Sequence, residues 1–371
     1  MTAQICDFLV IGAGLPGLAL AAELAGHGRV IVVEREAHPG YHATGRSAAI
    51  FSGSYGAPAI HALSMRSRRI LEAFPTVEGD RSVLSSRGLF YVAFRGDTRA
   101  TVDHMDMLEY ASIDDVCRAV PVLRPDMVLD ARYEVDAADI DVHAMQTGYL
   151  HRIRGHGGQI LTGAEVLSAC RRGAAWQVEL QGGTTVTAAV VIDAAGAWAG
   201  KVAGLFGAPD PGLTPLRRSA AIVDGPDGVP VSGWPMIVNA DETLYFKPEG
   251  GRLMVSPADE EPVEPHDAYA DDMEIAVAID RLTRVTTLDV RRVRTPWAGL
   301  RTFASDALPV IGFDACAEGF FWLAGQGGFG IQTAPGAAQL AARAILEQGM
   351  GEEDRQLLRQ FSPARFADAV S

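Results

Sequence analysis

Residues 8–34 read FLVIGAGLPGLALAAELAGHGRVIVVE and decide the fold of the first part of the chain. A wholly apolar run, typical of a strand covered on both faces, leads into a G-x-G-x-x-G pattern made by Gly12, Gly14 and Gly17. A helix-forming stretch follows, and a second apolar run ends at Glu34. This order predicts strand, tight turn, helix and strand, the arrangement in which the motif binds a dinucleotide.

The three glycines have distinct physical roles in such a unit. Gly12 permits the tight turn, Gly14 lets the backbone approach a pyrophosphate, and Gly17 lets helix and strand pack closely. The helix that follows directs its free amides and the positive end of its dipole towards the phosphates. We therefore predict that a dinucleotide lies against this turn.

The residues that flank the glycines complete the predicted site. Leu15 and Pro16 stand at the start of the helix, where its amides face the phosphates. Glu34, about 20 residues on, suits the diol of an adenosine ribose and would repel a 2′-phosphate. We assign cofactor contacts to these three residues and to the adjacent Arg35.

Further elements rich in small residues are spread along the chain. Residues 190–198 read VVIDAAGAW, a buried strand that ends in small side chains, and residues 45–49 read GRSAA. Residues 320–330 read FFWLAGQGGFG, a strand and a glycine-rich loop, and a helix is predicted from 331 to 347. A glycine-rich loop before a helix stabilises an anion, as the reduced flavin ring requires. Together these elements fit FAD better than NAD.

Composition narrows the class of protein. The 371 residues are enough for one large or two intergrown domains, and the net charge of −14 argues against nucleic acid or an anionic membrane as a partner. Residues 8–22 are uncharged, but glycines and a proline interrupt them and no basic flank precedes them, so we predict no transmembrane segment. The four cysteines have no metal-ligand spacing. We expect a cytoplasmic protein with reduced thiols and no metal site.

Five motifs carry a resemblance to a known family: residues 12–17, 46–49, 297–301 (WAGLR), 306–312 (DALPVIG) and 325–330. In them the chain resembles the D-amino-acid oxidase superfamily, which includes glycine oxidase, sarcosine oxidase and D-amino-acid dehydrogenases. The likeness is greatest to the bacterial D-arginine dehydrogenase group and runs from residue 5 to about 350. It implies a Rossmann-like FAD domain and amine oxidation.

The resemblance also implies roles for individual residues. Arg218 and Arg301 match arginines that hold the substrate carboxylate, and two guanidinium groups would fix it bidentately. Tyr55 and Tyr245 match tyrosines that flank the substrate. Gly328 matches a backbone carbonyl that receives the substrate amino group.

The remaining cofactor contacts follow from the same motifs. They are Arg46, Ser47, Ala48, Ala49, Val166, Ala195, Gly196, Trp198, Gly299, Arg301, Gly327, Gly328, Gly330, Ile331 and Gln332. No cysteine adjoins the second glycine-rich loop, so we expect the FAD to be bound without a covalent link.

Two departures from the resembled group concern the substrate pocket. Leu89 stands where that group has a glutamate that holds a basic side chain, and Ile50 stands where it has a histidine. Ser52 replaces a threonine two residues further on. Leucine cannot pair with a cation, and desolvating one there would cost several kcal/mol. The pocket is therefore predicted to favour apolar over basic side chains.

The cofactor elements are separated in the chain, so the predicted fold is α/β (α+β) with two interleaved domains. A Rossmann-like FAD-binding domain is assigned to 1–80, 147–215 and 303–371, and a mixed-sheet substrate domain to 81–146 and 216–302. The stretches from about 80 to 146 and from 216 to 302 are expected to hold strands and short loops, with strands at 89–94, 219–223, 243–247, 252–256 and 290–295 and a helical insert at 271–283. The acidic run at 259–261 is expected to be a solvated loop.

These features predict FAD-dependent oxidation of a D-amino acid by hydride transfer from Cα to the flavin. Water would then hydrolyse the imino acid to a 2-oxo acid and ammonia, and a quinone or oxygen would reoxidise the flavin. A sarcosine- or glycine-type oxidase of N-substituted amino acids is an alternative. A flavin-binding regulatory protein without turnover is a second alternative, but such a protein would not need the carboxylate clamp of Arg218 and Arg301.

Overall fold

The computed structural model describes residues 3–77, 79, 81–102, 105 and 107–369. The strands are β1 (Ala3–Ile11), β2 (Val30–Val33), β3 (Ile50–Phe51), β4 (Leu84–Ser86), β5 (Leu89–Phe94), β6 (Glu109–Tyr110), β7 (Val128–Glu134), β8 (Ala138–Ile140), β9 (Gln159–Leu161), β10 (Val166–Arg172), β11 (Ala175–Leu180), β12 (Thr185–Asp193), β13 (Thr214–Val223), β14 (Met236–Asn239), β15 (Tyr245–Glu249), β16 (Arg252–Ser256), β17 (Glu261–Pro262), β18 (Val293–Phe303), β19 (Val310–Phe313) and β20 (Phe320–Ala324). The helices are α1 (Leu15–Leu24), α2 (Pro58–Glu72), α3 (Ile113–Ala119), α4 (Val142–Gly155), α5 (Ala199–Leu205), α6 (Asp272–Val285), α7 (Gly330–Ile345) and α8 (Glu352–Phe361).

The first sheet has eight strands in the order β10-β11-β12-β1-β2-β9, with β20 beside β12 and β19 beside β20. Strands β9, β2, β1, β12 and β20 run parallel, and all four residues of β2 are buried. Such strands are apolar throughout because both faces of the sheet are covered. Helices α1, α2, α4 and α7 share one hydrophobic core against this sheet. The carboxyl ends of β1 and β2 therefore meet the start of α1 at one edge.

The second sheet has nine strands in the order β17-β13-β16-β15-β14-β5-β7-β6, with β18 also paired to β13. Helices α3 and α6 pack on one of its faces. Its other face carries a second apolar cluster that includes Leu89, Met236 and Tyr245. The long antiparallel pairing of β13 with β18 sets Arg218 opposite Gly299. The functional side chains predicted on these two strands are thereby brought together.

A small three-stranded sheet, β3-β8-β4, joins the two larger ones. In it Ile50 pairs with Asp139, so the segment after the first cofactor unit is tied to β8, which directly follows β7 of the second sheet in the chain. The domain limits drawn from the sequence stay a prediction. No helix in the described part of the chain combines the length and apolarity that a bilayer crossing requires.

Three local expectations were wrong. The strand expected at 290–295 is β18, which begins at Val293 and continues to Phe303 because β13 offers it a long partner. The stretch 80–146, expected to hold strands and loops, contains helix α3, capped by Ser112. The acidic run at 259–261 is only partly solvated: the side chain of Asp259 is 3% exposed and accepts hydrogen bonds from the backbone and hydroxyl of Ser219.

Candidate active site

One continuous cavity of about 860 Å³ runs between the two large sheets. It extends from Gly12 and Glu34 at the edge of the first sheet to Tyr245 and Met254 on the second. Every site residue predicted from the sequence lines this cavity except Leu15 and Gly17. The predicted cofactor and substrate residues, although spread over the whole chain, are therefore neighbours in space.

The first glycine loop is shaped by close backbone packing. Gly12 has φ of 103°, and a Cβ there would collide with the carbonyl of Ala194. A Cβ on Gly17 would collide with the carbonyl of Gly12, so Gly17 serves the packing of α1 rather than the cavity. Gly14 faces the cavity, and a Cβ there would meet the Thr44 hydroxyl at 3.4 Å and the Pro16 ring at 3.9 Å, both ordinary contacts. Gly14 therefore leaves room for a ligand.

Leu15 and Glu34 differ in how they serve this loop. The amide of Leu15 donates to the Thr44 hydroxyl at 2.9 Å and its side chain is buried, so this amide is already satisfied by the protein. Glu34 accepts the amides of Ala13 (2.8 Å) and Glu36 (3.0 Å), which fixes its carboxylate at the cavity wall at the end of β2. Thr44 was missed as a site residue although it immediately precedes the motif at 45–49.

The far end of the cavity beyond Glu34 suits a flat aromatic base. The guanidinium of Arg35 lies 4.9 Å from the ring centre of Trp198, and Val166 and Gly196 line the same region. Small and apolar walls with a stacked cation and indole accommodate an adenine ring.

Arg46 contributes to the cavity through its backbone rather than its charge. Its guanidinium donates to the carbonyls of Tyr41 (3.2 Å), Ala268 (3.0 Å) and Ala298 (3.1 Å) and to the Asp267 carboxylate (2.5 Å). These bonds tie the segment 41–49 to the second sheet. The small residues that follow, Ser47 to Ala49, then line the cavity, as predicted for a segment lying against a ring.

The second glycine loop lies at the start of α7. Gly327 has φ of 52°, and a Cβ there would collide with the ring of Phe303. A Cβ on Gly328 would lie 3.0 Å from the guanidinium of Arg301 and 3.2 Å from the Tyr55 hydroxyl. Helix α7 has no side-chain cap at its first turn, so its amides point towards the cavity edge. This end of the helix can stabilise negative charge.

These features fit FAD. The loop of Gly12 and Gly14 would hold the pyrophosphate, Glu34 the ribose, and the walls around Trp198 the adenine. Segment 46–49 and the start of α7 would enclose the flavin ring. The bound cofactor would supply an acceptor for a hydride, that is, for two electrons and one proton.

Arg301 is the most informative charged residue of the cavity. It lies on β18, and Tyr55, Tyr245 and the carboxylate of Glu260 are its electrostatic neighbours. Within the described residues no carboxylate lies within 4.0 Å of its guanidinium. A buried guanidinium without a counter-ion is costly, because desolvation is not repaid by an ion pair. The cavity therefore presents a cation prepared for an anionic ligand.

Arg218 is arranged differently from Arg301. Its Nε donates to the carbonyl of Asp259 at 2.9 Å, and its guanidinium pairs with the Glu260 carboxylate at 2.6 Å. Glu260 also lines the cavity, a placement that the sequence analysis did not predict. Two of the three nitrogens of Arg218 are thus engaged by the protein, and the two predicted clamp arginines are not equivalent.

The wall opposite the first glycine loop is apolar. Leu89 and Met236 are paired neighbours on β5 and β14, and both line the cavity together with Ile50, Ala220 and Met254. Leu89 is 2% exposed and packs in an apolar cluster, while its directly opposite partner on β7 is Glu134. Met236, Ala220 and Met254 were missed. The alternation of side chains along a strand is the signal that could have found them.

Ser52 and Gln332, both predicted site residues, are bonded to each other. The Gln332 side chain accepts from the Ser52 amide at 3.1 Å and donates to the Ser52 carbonyl at 3.2 Å. The Ser52 hydroxyl donates to Glu134 at 2.7 Å. Ser52 thus joins the flavin-side helix α7 to strand β7 of the second sheet.

Comparison with known proteins agrees with this geometry. The family model "FAD dependent oxidoreductase" (DAO) matches residues 7–344. "FAD-dependent oxidoreductase domain-containing protein 1" of Xenopus laevis is 30% identical over 205 residues, and the match covers 49% of this chain and 39% of that relative.

Two solved structures share the fold over nearly the whole chain. Glycine oxidase from Geobacillus kaustophilus has a TM-score of 0.83 at 19% identity and covers 97% of this chain and 98% of its own. L-proline dehydrogenase from P. horikoshii has a TM-score of 0.82 at 17% identity and covers 100% and 99%. Because the family model spans most of the sequence, this chain is an enzyme of the DAO family of FAD-dependent oxidoreductases.

Proposed function

We propose that this enzyme oxidises an α-amino acid with an apolar side chain, of D configuration, to its imino acid. Hydrolysis of the imino acid by water then gives a 2-oxo acid and ammonia. The observation that carries this proposal is Arg301, an arginine at the cavity wall whose guanidinium forms no ion pair within 4.0 Å among the described residues.

A substrate carboxylate supplies the missing counter-ion of Arg301. Charge-assisted hydrogen bonds to a guanidinium are short and directional, so they would orient the substrate as well as bind it. Tyr55, which neighbours Arg301 and packs on Phe329 with 4.7 Å between ring centres, would hold the guanidinium in place. Orientation of the Cα–H bond towards the cofactor lowers the barrier by making the reacting groups neighbours.

The substrate side chain would lie against the apolar wall of Leu89, Met236 and Met254. Such a wall discriminates by only about 1–3 kcal/mol per methylene among apolar groups but strongly disfavours an unpaired charge. This supports leucine, methionine, phenylalanine or proline over arginine and lysine as substrate types. The D configuration rests on the resemblance of the substrate residues to those of D-amino-acid dehydrogenases.

N-substituted amino acids are a second candidate class of substrate. L-Proline dehydrogenase and glycine oxidase share the fold, and the first is named for a secondary amine. The bound FAD is proposed to be non-covalent, since no cysteine is among the described residues that line the cavity. A quinone or oxygen is the proposed acceptor that reoxidises it.

Anaerobic mixing of the FAD-bound protein with a panel of amino acids tests the proposal. The panel contains both enantiomers of leucine, methionine, phenylalanine, proline and arginine, together with sarcosine and glycine. Bleaching of the flavin absorption should be fastest with the apolar D-amino acids. Fastest bleaching by an L-enantiomer would overturn the stereochemical part, and fastest bleaching by sarcosine would favour the second candidate.

A further inference from the structure

Glu134, at the end of β7, is a buried carboxylate that the proposed substrate site does not use directly. Glu134 exposes only 6% of its surface to solvent. It accepts the hydroxyls of Ser52 (2.7 Å) and Ser54 (2.6 Å) and the amides of Gly53 (2.6 Å) and Ser54 (3.3 Å). All four donors are neutral, so hydrogen bonds solvate this carboxylate but leave its charge unbalanced.

No arginine, lysine or histidine of the described segments lies within 4.0 Å of the Glu134 carboxylate. A buried carboxylate without a counter-ion is costly, and such groups beside a cavity are candidates for a functional role. Glu134 does not itself line the cavity, whereas Ser52 does. The Ser52 hydroxyl is thus a bridge between the buried carboxylate and the cavity.

The cavity is therefore associated with two charges of opposite sign, neither of which forms an ion pair within 4.0 Å among the described residues. Arg301 lines the cavity, and Glu134 accepts a hydrogen bond from the hydroxyl of Ser52, a residue that lines the same cavity. An amino acid is a zwitterion whose two poles complement this pair. A neutral amine is the form that can be oxidised, so the ammonium pole must lose a proton within the site.

We propose that Glu134 receives this proton through Ser52. The inference rests on the proposed function, because it takes the substrate to be an amino acid. One N–H bond of the ammonium breaks and its proton binds Ser52 Oγ, while the hydroxyl proton of Ser52 moves to Glu134 Oε2. A neutral amine and a neutral carboxyl group result, and no electrons are transferred in this step. The neutral amine is the form from which bound FAD would accept a hydride.

The surrounding titratable groups leave Glu134 as the acceptor. Tyr91 on β5 has its hydroxyl 3.4 Å from Ser54 Oγ, but burial raises its pKa, so it remains protonated. His61 on α2 is engaged by the Gly53 carbonyl at 2.6 Å. Glu242 lies near Tyr91 and is solvent-exposed at the rim of the cavity, and Tyr55 lies beside the cationic Arg301.

The test counts the protons that are released when a ligand binds to the FAD-bound protein. The probe is 1-aminocyclopentane-1-carboxylate, which is achiral, apolar and without a hydrogen at Cα, so it binds without being oxidised. Calorimetric titration in two buffers of different protonation enthalpy gives the number of protons released. Wild type should release none, because Glu134 retains the proton. Glu134→Gln should release about one proton per ligand, because only the neutral amine binds beside the amide.

Matched variants separate this role from a structural one. Glu134→Asp should restore the wild-type count. Ser54→Ala removes an equally short hydrogen bond to the same carboxylate, but Ser54 does not line the cavity, so its count should remain at zero. If Glu134→Gln releases no proton, or if Ser54→Ala releases as many protons as Glu134→Gln, the inference is overturned.

A measurement on wild type avoids dependence on the variants. The infrared difference spectrum upon binding of carboxyl-labelled probe should gain the band of a protonated side-chain carboxyl, and its absence would overturn the proton transfer. Cyclopentanecarboxylate, which lacks the amine, separates the two proposals. If its affinity does not depend on Arg301, the proposed function fails. If it does, a missing proton release in Glu134→Gln overturns only the inference about Glu134.

Discussion

Asp193 gives the protein a pH-dependent stability that a single substitution should remove. It ends β12 between Ile11 of β1 and Trp322 of β20, and it is fully buried. One of its carboxylate oxygens accepts the amide of Ala195 at 3.0 Å, and the other has no partner among the described residues. Burial raises the pKa of this carboxyl group from 3.8 to about 8.

The size of the effect follows from proton linkage. Between pH 3.8 and about 8 the folded protein holds a proton on Asp193 that the unfolded chain has lost. This stabilisation is complete below the unfolded pKa and is lost as the pH rises through the folded one. Between pH 6 and pH 9, Asp193 should therefore lower the free energy of unfolding by about 3 kcal/mol. Asp193→Asn cannot ionise and should not show this loss.

The assay is urea unfolding of wild type and Asp193→Asn in excess FAD at several pH values from 6 to 9. Asp224→Asn is the control. The Arg294 guanidinium hydrogen-bonded to Asp224 holds the pKa of that carboxyl below its usual value, so Asp224 stays ionised throughout. The stability of Asp193→Asn relative to wild type should rise by about 3 kcal/mol across the range. A difference that is constant with pH, as expected for the control, would refute the assignment.

Three further predictions concern the cavity. Gly14→Val should give folded protein that retains no FAD, because the valine side chain enters the space left for the pyrophosphate. Gly12→Ala should instead disrupt folding, because its Cβ collides with the backbone. Flavin absorption measures the bound FAD, and circular dichroism measures the folding of each variant. Leu89→Glu should shift kcat/KM from apolar towards basic amino acids by about tenfold or more, since it adds a counter-ion within the apolar wall. Glu260→Gln removes the ion pair of Arg218 and should raise the affinity for dicarboxylates about tenfold relative to the affinity for monocarboxylates. Titration followed by the flavin spectrum measures both affinities. An unchanged ratio of the two affinities would mean that Glu260 does not limit the charge of the ligand.

The glycine-rich parts of the site were predictable because their requirement is local. Gly12 and Gly327 have positive φ, and a side chain at either would collide with a neighbour. Such constraints select glycine whatever lies elsewhere in the chain. The fold class was predictable for the same reason, because the apolar pattern of two buried strands and a helix is contained in residues 8–34. The family match confirms the FAD-binding α/β fold.

Long-range pairings were not predictable from these patterns. Glu134 bonds the Ser52 hydroxyl across 82 positions, and Arg218 bonds Glu260 across 42. No periodicity relates such residues, because their proximity depends on how the two sheets face each other. The sequence therefore predicted the same carboxylate-binding role for Arg218 and Arg301, because both residues are arginines. Their unequal partners emerge only from the folded chain.

The binding of a carboxylate by Arg301 is the central claim, and Arg301→Met tests it most directly. The measurement is the dissociation constant of the best apolar D-amino acid, obtained from the concentration dependence of anaerobic flavin reduction. Loss of charge-assisted hydrogen bonds worth about 1.5–3 kcal/mol should raise this constant about 10- to 150-fold, while the oxidised flavin spectrum stays near that of wild type. A dissociation constant equal to that of wild type would contradict the account.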